Sequence, residues 1–226
     1  YFEASSELLN TIPAAIPAPR VISRANLDGR ELLVVEKMRG TVLKSFIGQP
    51  PGLLHAFGVW LAHVHRNTFP FYGNLAKTRT EEKERFHPRL AQAMRLLVER
   101  EHRENRAIQA GLEPIVEELG HLPVPQHMCP VLVDMDPSQF LAEAGNITAV
   151  VDTEAYVVAP RELDFIGLEY VLDEQSAHSV AQGYATVLDL PRLSAYRRPY
   201  RYLYRLLGVQ GSVDLDRWMA RPALFP

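Results

Sequence analysis

The residues best suited to chemistry are acids at the ends of short hydrophobic runs. Asp134 follows "PVLV", Asp152 follows "ITAVV", and Gln139 lies five positions after Asp134. A hairpin that returns on itself would bring these three side chains together as oxygen ligands for a hard cation such as Mg2+. Phosphoryl transfer needs such a site, together with one carboxylate that is free to take the proton of the acceptor. The same residue types are common in turns and at helix caps, so spacing alone leaves both interpretations open. The whole constellation comprises Asp134, Asp136, Gln139, Asp152, Glu154 and Asp164.

Short strands are needed to position these acids, and the local pattern predicts them. The runs "PVLV", "QFLAE" and "ITAVVD" are typical of β-strands, with a turn at Gly145 and Asn146. Near the N-terminus, "RVIS" and "ELLVVE" indicate two more strands, joined by a turn at Asn26, Asp28 and Gly29. A helix over "YFEASSELLNTI", ending at Pro13, is predicted before them.

Helical patterns dominate the rest of the chain. Charged amphipathic stretches cover about residues 80–101 and 103–119, and further helices are indicated by "RELDFIGLEYVLDE", "SAHSVAQGYATVL", "SAYRRPYRYLYRLL" and "DLDRWMA". We therefore predict an α+β chain, with a small, partly β part over residues 1–40 and a mainly helical part over residues 41–226. The first long helix carries one apolar stripe, formed by Leu53, Leu54, Phe57, Trp60, Leu61 and Val64.

The bulk composition is that of an ordinary globular protein. The 226 residues are 47% hydrophobic and 23% charged, which is enough to bury a sizeable core. A formal net charge of -3 gives no electrostatic case for nucleic acid or an anionic membrane as the main partner. No apolar run approaches the roughly 18 residues of a membrane span. The single Cys129 cannot form an internal disulfide, which favours a reducing compartment such as the cytoplasm, and its apolar neighbours predict a buried side chain. The oligomeric state cannot be predicted.

One C-terminal segment is rich in arginine. Tyrosines and leucines alternate with the arginines there, a pattern typical of a helix with one basic face. We predict that this face is solvated or faces a substrate, and an RNA-binding helical module is the weaker alternative. The arginines are Arg192, Arg197, Arg198, Arg201 and Arg205.

The ordered motifs resemble those of the aminoglycoside phosphotransferase and choline kinase group. That group has a protein-kinase-like fold, with a motif close to H-G-D-x-x-x-x-N and then a hydrophobic strand ending in I-D-[WF]. Here "LVDMDPSQ" and "VVDTE" are similar to the two motifs, with Asp134, Gln139 and Asp152 at the corresponding intervals. "ELLVVEKMRG" resembles the strand and hinge that hold adenine, "LLHAFGVWLAHVHR" the first long helix of the C-terminal lobe, and "RELDFIGLE" the acidic helix start after the second motif.

The resemblance implies a role for each matching residue. Asp134 would be the catalytic base, Gln139 and Asp152 would ligate Mg2+, and Asp164 would brace the catalytic loop. Adenine of ATP would lie against the hinge at Glu36, Lys37 and Met38. Asp136 and Glu154 have no counterpart in the family, and a supporting role and a plain surface role are both open.

The chain also departs from the family pattern. Leu132 and Val133 stand where the motif has His and Gly, and Gln139 stands where it has Asn. Gln offers the same amide oxygen on a side chain one methylene longer. The family places a phosphate-covering loop and a strand lysine before the helix that resembles "FEASSELL", and here the chain begins at Tyr1. Glu3 is the candidate partner of that lysine. This pattern is expected if the sequence is a fragment, if residues are missing from it, or if the protein is a degenerate relative.

The residues and the resemblance together predict a cytoplasmic, ATP-dependent phosphotransferase. It would transfer the γ-phosphate to a hydroxyl of a small molecule, with ATP and Mg2+ as cofactors and neither nucleic acid nor a membrane as partner. A kinase-like protein that binds a nucleotide or small molecule without transfer is the alternative, because Leu132 and Val133 depart from the motif.

Overall fold

The computed structural model describes residues 19–75, 77–151, 156–209, 211 and 213–226. The predicted N-terminal helix, Glu3, Asp152 and Glu154 lie outside the described residues. None of the described helices is long and apolar enough to cross a membrane.

An antiparallel hairpin opens the described chain. Its strands are β1 (Val21–Leu27) and β2 (Arg30–Val35). Asp28 and Gly29 between them both have positive φ, at 52° and 76°, as the favoured two-residue hairpin turn requires. The side chain of Asn26 accepts a hydrogen bond from the Gly29 amide at 3.1 Å. The predicted hairpin and its turn are therefore confirmed.

Helix α1 (Pro51–His65) is the centre of the core. All six residues of its predicted apolar stripe are buried, so this prediction is confirmed. A Cβ atom on Gly58 would lie 2.1 Å from the carbonyl oxygen of Val180, in the helix Glu174–Ala185. The two backbones can touch only because Gly58 has no side chain.

A four-stranded antiparallel sheet lies beside α1. Its order is β5-β4-β9-β6, formed by Thr80–Glu82, Phe71–Asn74, Val157–Pro160 and Met128–Val131 respectively. Strands β4, β5 and β9 were not predicted. The helix expected from about residue 80 begins instead at Phe86, because residues 80–82 pair with β4. Pro88 then lies in the first turn of the helix, where proline is well tolerated.

The predicted acid-bearing hairpin is present in a separate three-stranded sheet. Strands β7 (Phe140–Glu143) and β8 (Asn146–Val150) form the hairpin, and the short β3 (Thr41–Val42) pairs with β7. The turn is at Ala144 and Gly145, both with positive φ, so it lies one residue earlier than predicted. Strand β6 belongs to the other sheet, and the acids after β6 lie in the connection between the two sheets.

The remaining helices surround these sheets. They are α2 (Phe86–Glu101), α3 (Arg106–His121), α4 (Glu162–Val171), α5 (Glu174–Ala185), α6 (Arg197–Leu207) and α7 (Leu215–Met219), with short 3-10 turns at Lys83–Arg85 and Pro137–Gln139.

Helix α6 corrects the prediction of a solvated or substrate-facing basic face. Arg201 and Arg205 are buried, at 4% and 7% exposure, while Arg198 remains exposed. Arg201 is buried because it pairs with the fully buried Glu169 at 2.7 Å and donates to three backbone carbonyls near the C-terminus. The helix on which the RNA-binding alternative rested is therefore mostly part of the core.

Candidate active site

A buried carboxylate accepts hydrogen bonds from the backbone of the loop after β6. Asp164, in the first turn of α4, is completely buried. Its Oδ1 accepts hydrogen bonds from the backbone amides of Leu132, at 3.0 Å, and Val133, at 3.1 Å. The sequence assigned Asp164 to bracing this loop, and the structure has it bonded to the two residues that precede Asp134.

Val133 has a backbone conformation that favours glycine. Its φ is +64°, and the Asp134 amide donates to the Leu132 carbonyl at 2.7 Å, which closes a three-residue turn. A β-branched residue in the left-handed region is strained by roughly 1–2 kcal/mol. The motif that this segment resembles has glycine at the same position. The chain therefore keeps the turn without the residue that suits it best.

The turn determines how Asp134 is displayed. Leu132 and Met135 are in the core, while Val133 and Asp134 between them are half-buried. A carboxylate on a rigid turn, with part of its surface open, is suited to accept a proton from a bound molecule.

A hydrogen-bonded network supports Asp164. His65, at the end of α1, places Nε2 3.1 Å from Asp164 Oδ2 and Nδ1 3.0 Å from the hydroxyl of Tyr184. Arg161 donates to the same hydroxyl at 3.1 Å. A carboxylate only accepts, so a neutral imidazole with its proton on Nε2 satisfies every contact: Tyr184 accepts from Arg161 and donates to Nδ1.

Sequence reasoning missed His65, Tyr184 and Arg161. One signal was available for His65, because it continues the buried stripe at four-residue spacing after Phe57 and Leu61. No local signal connects it to Asp164, which lies 99 residues further along the chain.

Asp136 and Gln139 belong to one short 3-10 turn. The side chain of Asp136 caps the turn by accepting a hydrogen bond from the Ser138 amide at 2.7 Å. This contact gives the unassigned acid a supporting role. Gln139 ends the turn and is 6% exposed. The next residue, Phe140, packs edge-on against Phe57 and Trp60, with centroid distances of 5.0 and 5.8 Å, and so anchors Gln139 to the core.

The side chain of Gln139 carries the amide oxygen that is expected to ligate a cation. Its Oε1 atom is buried and has no hydrogen-bond partner among the described residues, as expected of an oxygen that serves as a ligand. Its backbone carbonyl accepts the amide of Val151 at 2.7 Å, and Asp152 is the next residue in sequence. Within the described ranges, no three His, Cys, Asp or Glu side chains gather into a metal site. The pair of Gln139 and Asp152 as Mg2+ ligands stays a prediction.

The predicted hinge runs alongside this hairpin. Glu36 and Lys37 are exposed and Met38 is half-buried, in the segment between β2 and β3. The Glu36 amide donates to the Arg20 carbonyl at 2.9 Å, and Thr148 on β8 donates to the carbonyl of Arg39. The segment therefore lies against β8, and adenine binding at this hinge stays a prediction.

Burial controls the protonation of neighbouring groups. Complete burial, followed by the charges of Asp164 and Glu162, raises the pKa of the Cys129 thiol well above its ordinary value. The thiol therefore stays protonated and acts as a small buried side chain, as predicted. Burial also raises the pKa of Tyr204, with the charges of Asp164 and Asp134 as further causes.

The arrangement of sheets, helices and the acid-bearing loop defines a protein-kinase-like fold of the kind found in small-molecule phosphotransferases. Solved structures with this fold include macrolide 2'-phosphotransferase MphH from Brachybacterium faecium, which is 15% identical, with 92% of this chain and 72% of that chain covered and a TM-score of 0.66. A thermostable mutant of aminoglycoside phosphotransferase APH(4)-Ia, in ternary complex with ADP and hygromycin B, is 16% identical. The match covers 97% of this chain and 78% of that chain, with a TM-score of 0.67. The GDP complex of wild-type aminoglycoside 2'-phosphotransferase-IIIa is 15% identical. That match covers 97% of this chain and 78% of that chain, with a TM-score of 0.61.

At these identities the likeness establishes the fold alone, and it confirms the predicted fold class. No protein-family model matches the chain, and no curated protein matches it either.

Proposed function

We propose that this chain is an ATP-dependent phosphotransferase that acts on a hydroxyl of a small molecule. The observation that carries the proposal is the Asp164 carboxylate bonded to the amides of Leu132 and Val133, which fixes the turn that presents Asp134. The fold supports it, because the solved structures that share the fold include a macrolide phosphotransferase and an aminoglycoside phosphotransferase.

In the proposed reaction Asp134 is the general base. Its carboxylate accepts the proton of the acceptor hydroxyl while that oxygen forms a bond to the γ-phosphorus of ATP. The bond between the γ-phosphorus and the bridging oxygen breaks, and ADP leaves with the electron pair. Asp136 is held in its capping hydrogen bond to the Ser138 amide and has no part in this step.

Gln139 and Asp152 would hold Mg2+, and the segment Glu36–Met38 would hold adenine. When bound, Mg2+ offsets the charge of the nucleotide phosphates. The buried Oε1 of Gln139 supports this assignment, since it has no hydrogen-bond partner among the described residues. In this proposal residues 1–40 belong to a nucleotide-binding lobe and residues 41–226 form the catalytic lobe.

The acceptor is a small molecule with a free hydroxyl. APH(4)-Ia was solved with hygromycin B, and the name of MphH identifies a macrolide phosphotransferase, so aminoglycosides and macrolides are the first acceptors to test. Amino alcohols and sugars complete the panel, because the resemblance extends to choline kinases.

Nucleotide binding tests the cofactor half of the proposal. Titration calorimetry of the full-length protein should give tighter ATP binding with Mg2+ than without it, and Asp152→Ala should abolish the difference. Glu154→Ala is the matched control, since this nearby acid has no assigned role. GTP should be titrated in parallel, because a relative with this fold was solved with GDP. Equal ATP affinity with and without Mg2+ would exclude the assigned ligands.

A phosphate-transfer assay tests the catalytic half of the proposal. The full-length protein should phosphorylate at least one acceptor of the panel, detected by mass spectrometry as the mass of one added phosphate. If ATP and Mg2+ bind and no acceptor is modified, the protein is a non-catalytic binder. The replacement of the motif's His and Gly by Leu132 and Val133 is the observation that favours this second candidate.

A further inference from the structure

A second charged cavity lies away from the candidate active site. It has a volume of about 1180 Å³ and lies between the α2–α3 connection and the C-terminal end of α6. Among the described residues, four arginines and two glutamates contribute to its wall, and none of these lining residues belongs to the loop at 132–139 or to the hinge at 36–38.

Arg205 is the buried member of this wall. It is 7% exposed, and its Nε atom is buried without a hydrogen-bond partner among the described residues. Arg201, one turn earlier on the same helix, pairs with Glu169 and donates to three carbonyls. A buried guanidinium without such partners is unfavourable, because it loses water and gains no acceptor. Because Arg205 lines the cavity, an anion that enters from solution would be an acceptor for the end of its guanidinium that faces the cavity, whereas Nε is enclosed by the protein.

The start of α3 adds a second attraction for an anion. The first amides of any helix have no intrahelical acceptor and carry partial positive charge. The side chain of Asn105 caps the Ile108 amide at 3.1 Å, and the helix begins at Arg106, whose exposed side chain also lines the cavity. Such a helix end binds phosphate and sulfate readily when further cations are present.

The remaining charges of the wall leave it positive. Glu101 is paired with Arg100 at 3.7 Å, so Glu104 is the remaining acid set against Arg103, Arg106 and Arg205. His102 joins the two sides of the cavity, because its Nε2 donates to the Leu206 carbonyl at 2.9 Å. That bond holds the α2–α3 connection against the end of α6, next to Arg205.

We propose that this cavity binds a tetrahedral oxyanion, either free phosphate or the phosphate group of a monoester. Arg205 is the inner ligand, and Arg106 with the first turn of α3 forms the outer side. The site is separate from the proposed nucleotide site and does not depend on the proposed activity.

The test follows the side-chain Nε–Hε signal of Arg205 by NMR of the full-length, nitrogen-labelled protein. The signal is assigned by its disappearance in Arg205→Met. Titration with inorganic phosphate should move this signal and reach saturation. The same titration with glycerol phosphate shows whether the monoester or the free ion has the lower Kd, and so which of the two the cavity prefers. Arg106→Gln should raise the Kd by about two- to fivefold, the size expected of one exposed cation. The exposed Arg217, outside the cavity, is the control, and Arg217→Gln should leave the Kd unchanged.

A second measurement separates this site from the active site. Thermal unfolding of Arg205→Met should show a higher midpoint than wild type without phosphate, because an unpaired buried charge is removed, and a smaller shift on adding phosphate. Its affinity for ATP should be unchanged. The proposal is wrong if the Arg205 signal does not move, if all arginine signals move together without saturation, or if Arg205→Met keeps the full phosphate shift.

Discussion

The Oδ1 atom of Asp164 accepts a hydrogen bond of 3.1 Å from the backbone amide of Val133, across 31 residues of sequence. Val133 at the same time has a left-handed φ of +64°. A buried acid thus holds a strained residue in position, directly before the carboxylate proposed as the catalytic base. Strained backbone persists only where the surrounding structure determines it strongly, and such residues cluster at functional sites.

The support from Asp164 can be measured by Asp164→Asn. The carboxylate accepts from Leu132, Val133 and His65, whereas an amide has one oxygen and would turn its NH2 group toward a buried donor. Chemical denaturation should give a loss of about 1–3 kcal/mol in the free energy of unfolding. Asp136→Asn is the control and should lose less than about 0.5 kcal/mol, because asparagine caps turns as well as aspartate does. Equal losses would contradict the bracing role.

The strain at Val133 predicts an unusual order of two variants. Alanine is normally more stable than glycine in ordered backbone, but a positive φ reverses the order. Val133→Gly should therefore be more stable than Val133→Ala, by roughly 0.5–1 kcal/mol, in chemical denaturation. Val131, buried in the adjacent strand β6, is the control, and there alanine should be the more stable replacement. If glycine and alanine had the same order of stability at positions 133 and 131, the strain at Val133 would be disproved.

The buried pair of Glu169 and Arg201 predicts non-additive effects. Glu169 also accepts from Arg197 and from the Leu224 amide, so the pair fixes the C-terminal residues. Glu169→Gln should destabilise by about 3–5 kcal/mol, because it leaves the buried guanidinium of Arg201 without its carboxylate. Arg201→Met should cost less, because Arg197 still pairs with Glu169. The double variant should lose about 1–3 kcal/mol less than the sum.

The exposed pair of Arg95 and Glu113 is the matched control for that cycle. Both side chains are largely accessible to water, although their hydrogen bond is short at 2.6 Å. Removing either one should lose less than about 1 kcal/mol. If the buried pair behaved in the same additive way, it would not be the anchor of the C-terminal segment.

Acid sensitivity should arise in part from His87. Burial lowers its pKa from 6.5 to about 4, and its Nε2 lies 2.9 Å from the Tyr200 hydroxyl. Above pH 6.5 the side chain is neutral in both states and causes no loss. As the pH falls from 6.5 to about 4 the unfolded state takes up the proton first, so stability decreases by about 2–3 kcal/mol. In His87→Gln this part of the pH dependence of unfolding should disappear, and an unchanged dependence would show that His87 is not its source.

The sequence predicted best those features that depend on local pattern. The stripe of α1 repeats at helical spacing, and the β1–β2 turn contains the residues that its positive φ values require. Strands β4 and β9 were missed because they become strands by pairing with each other, as Gly73 does with Val158. The arginines of α6 mislead for a similar reason: their type predicts exposure, and Arg201 is buried because of contacts with Glu169 and with carbonyls near the C-terminus, which lie far from it in sequence.

The residues of the candidate site show the same difference between local sequence pattern and long-range contact. Asp134, Gln139 and Asp152 were selected because the resemblance gives matching intervals along the chain, and Asp164 was assigned separately to bracing the catalytic loop. The roles of Asp134, Gln139 and Asp152 stay predictions. His65 and Tyr184 were not found, because their contacts join α1 to α4 and α5 across the core. The strain at Val133 was not predicted either, since the sequence shows only that valine replaces glycine and not that the turn is kept.

The most direct test of the proposed function is the rate of phosphate transfer by Asp134→Asn in the full-length protein, with the best acceptor of the panel. A general base typically contributes on the order of 10²–10⁴ in rate. Asp134→Asn should therefore lose that much while its ATP affinity stays nearly unchanged, and Asp136→Asn, which keeps its capping bond, should stay close to wild type. A silent Asp134→Asn beside a damaging Asp136→Asn would contradict the assignment of Asp134 as the base.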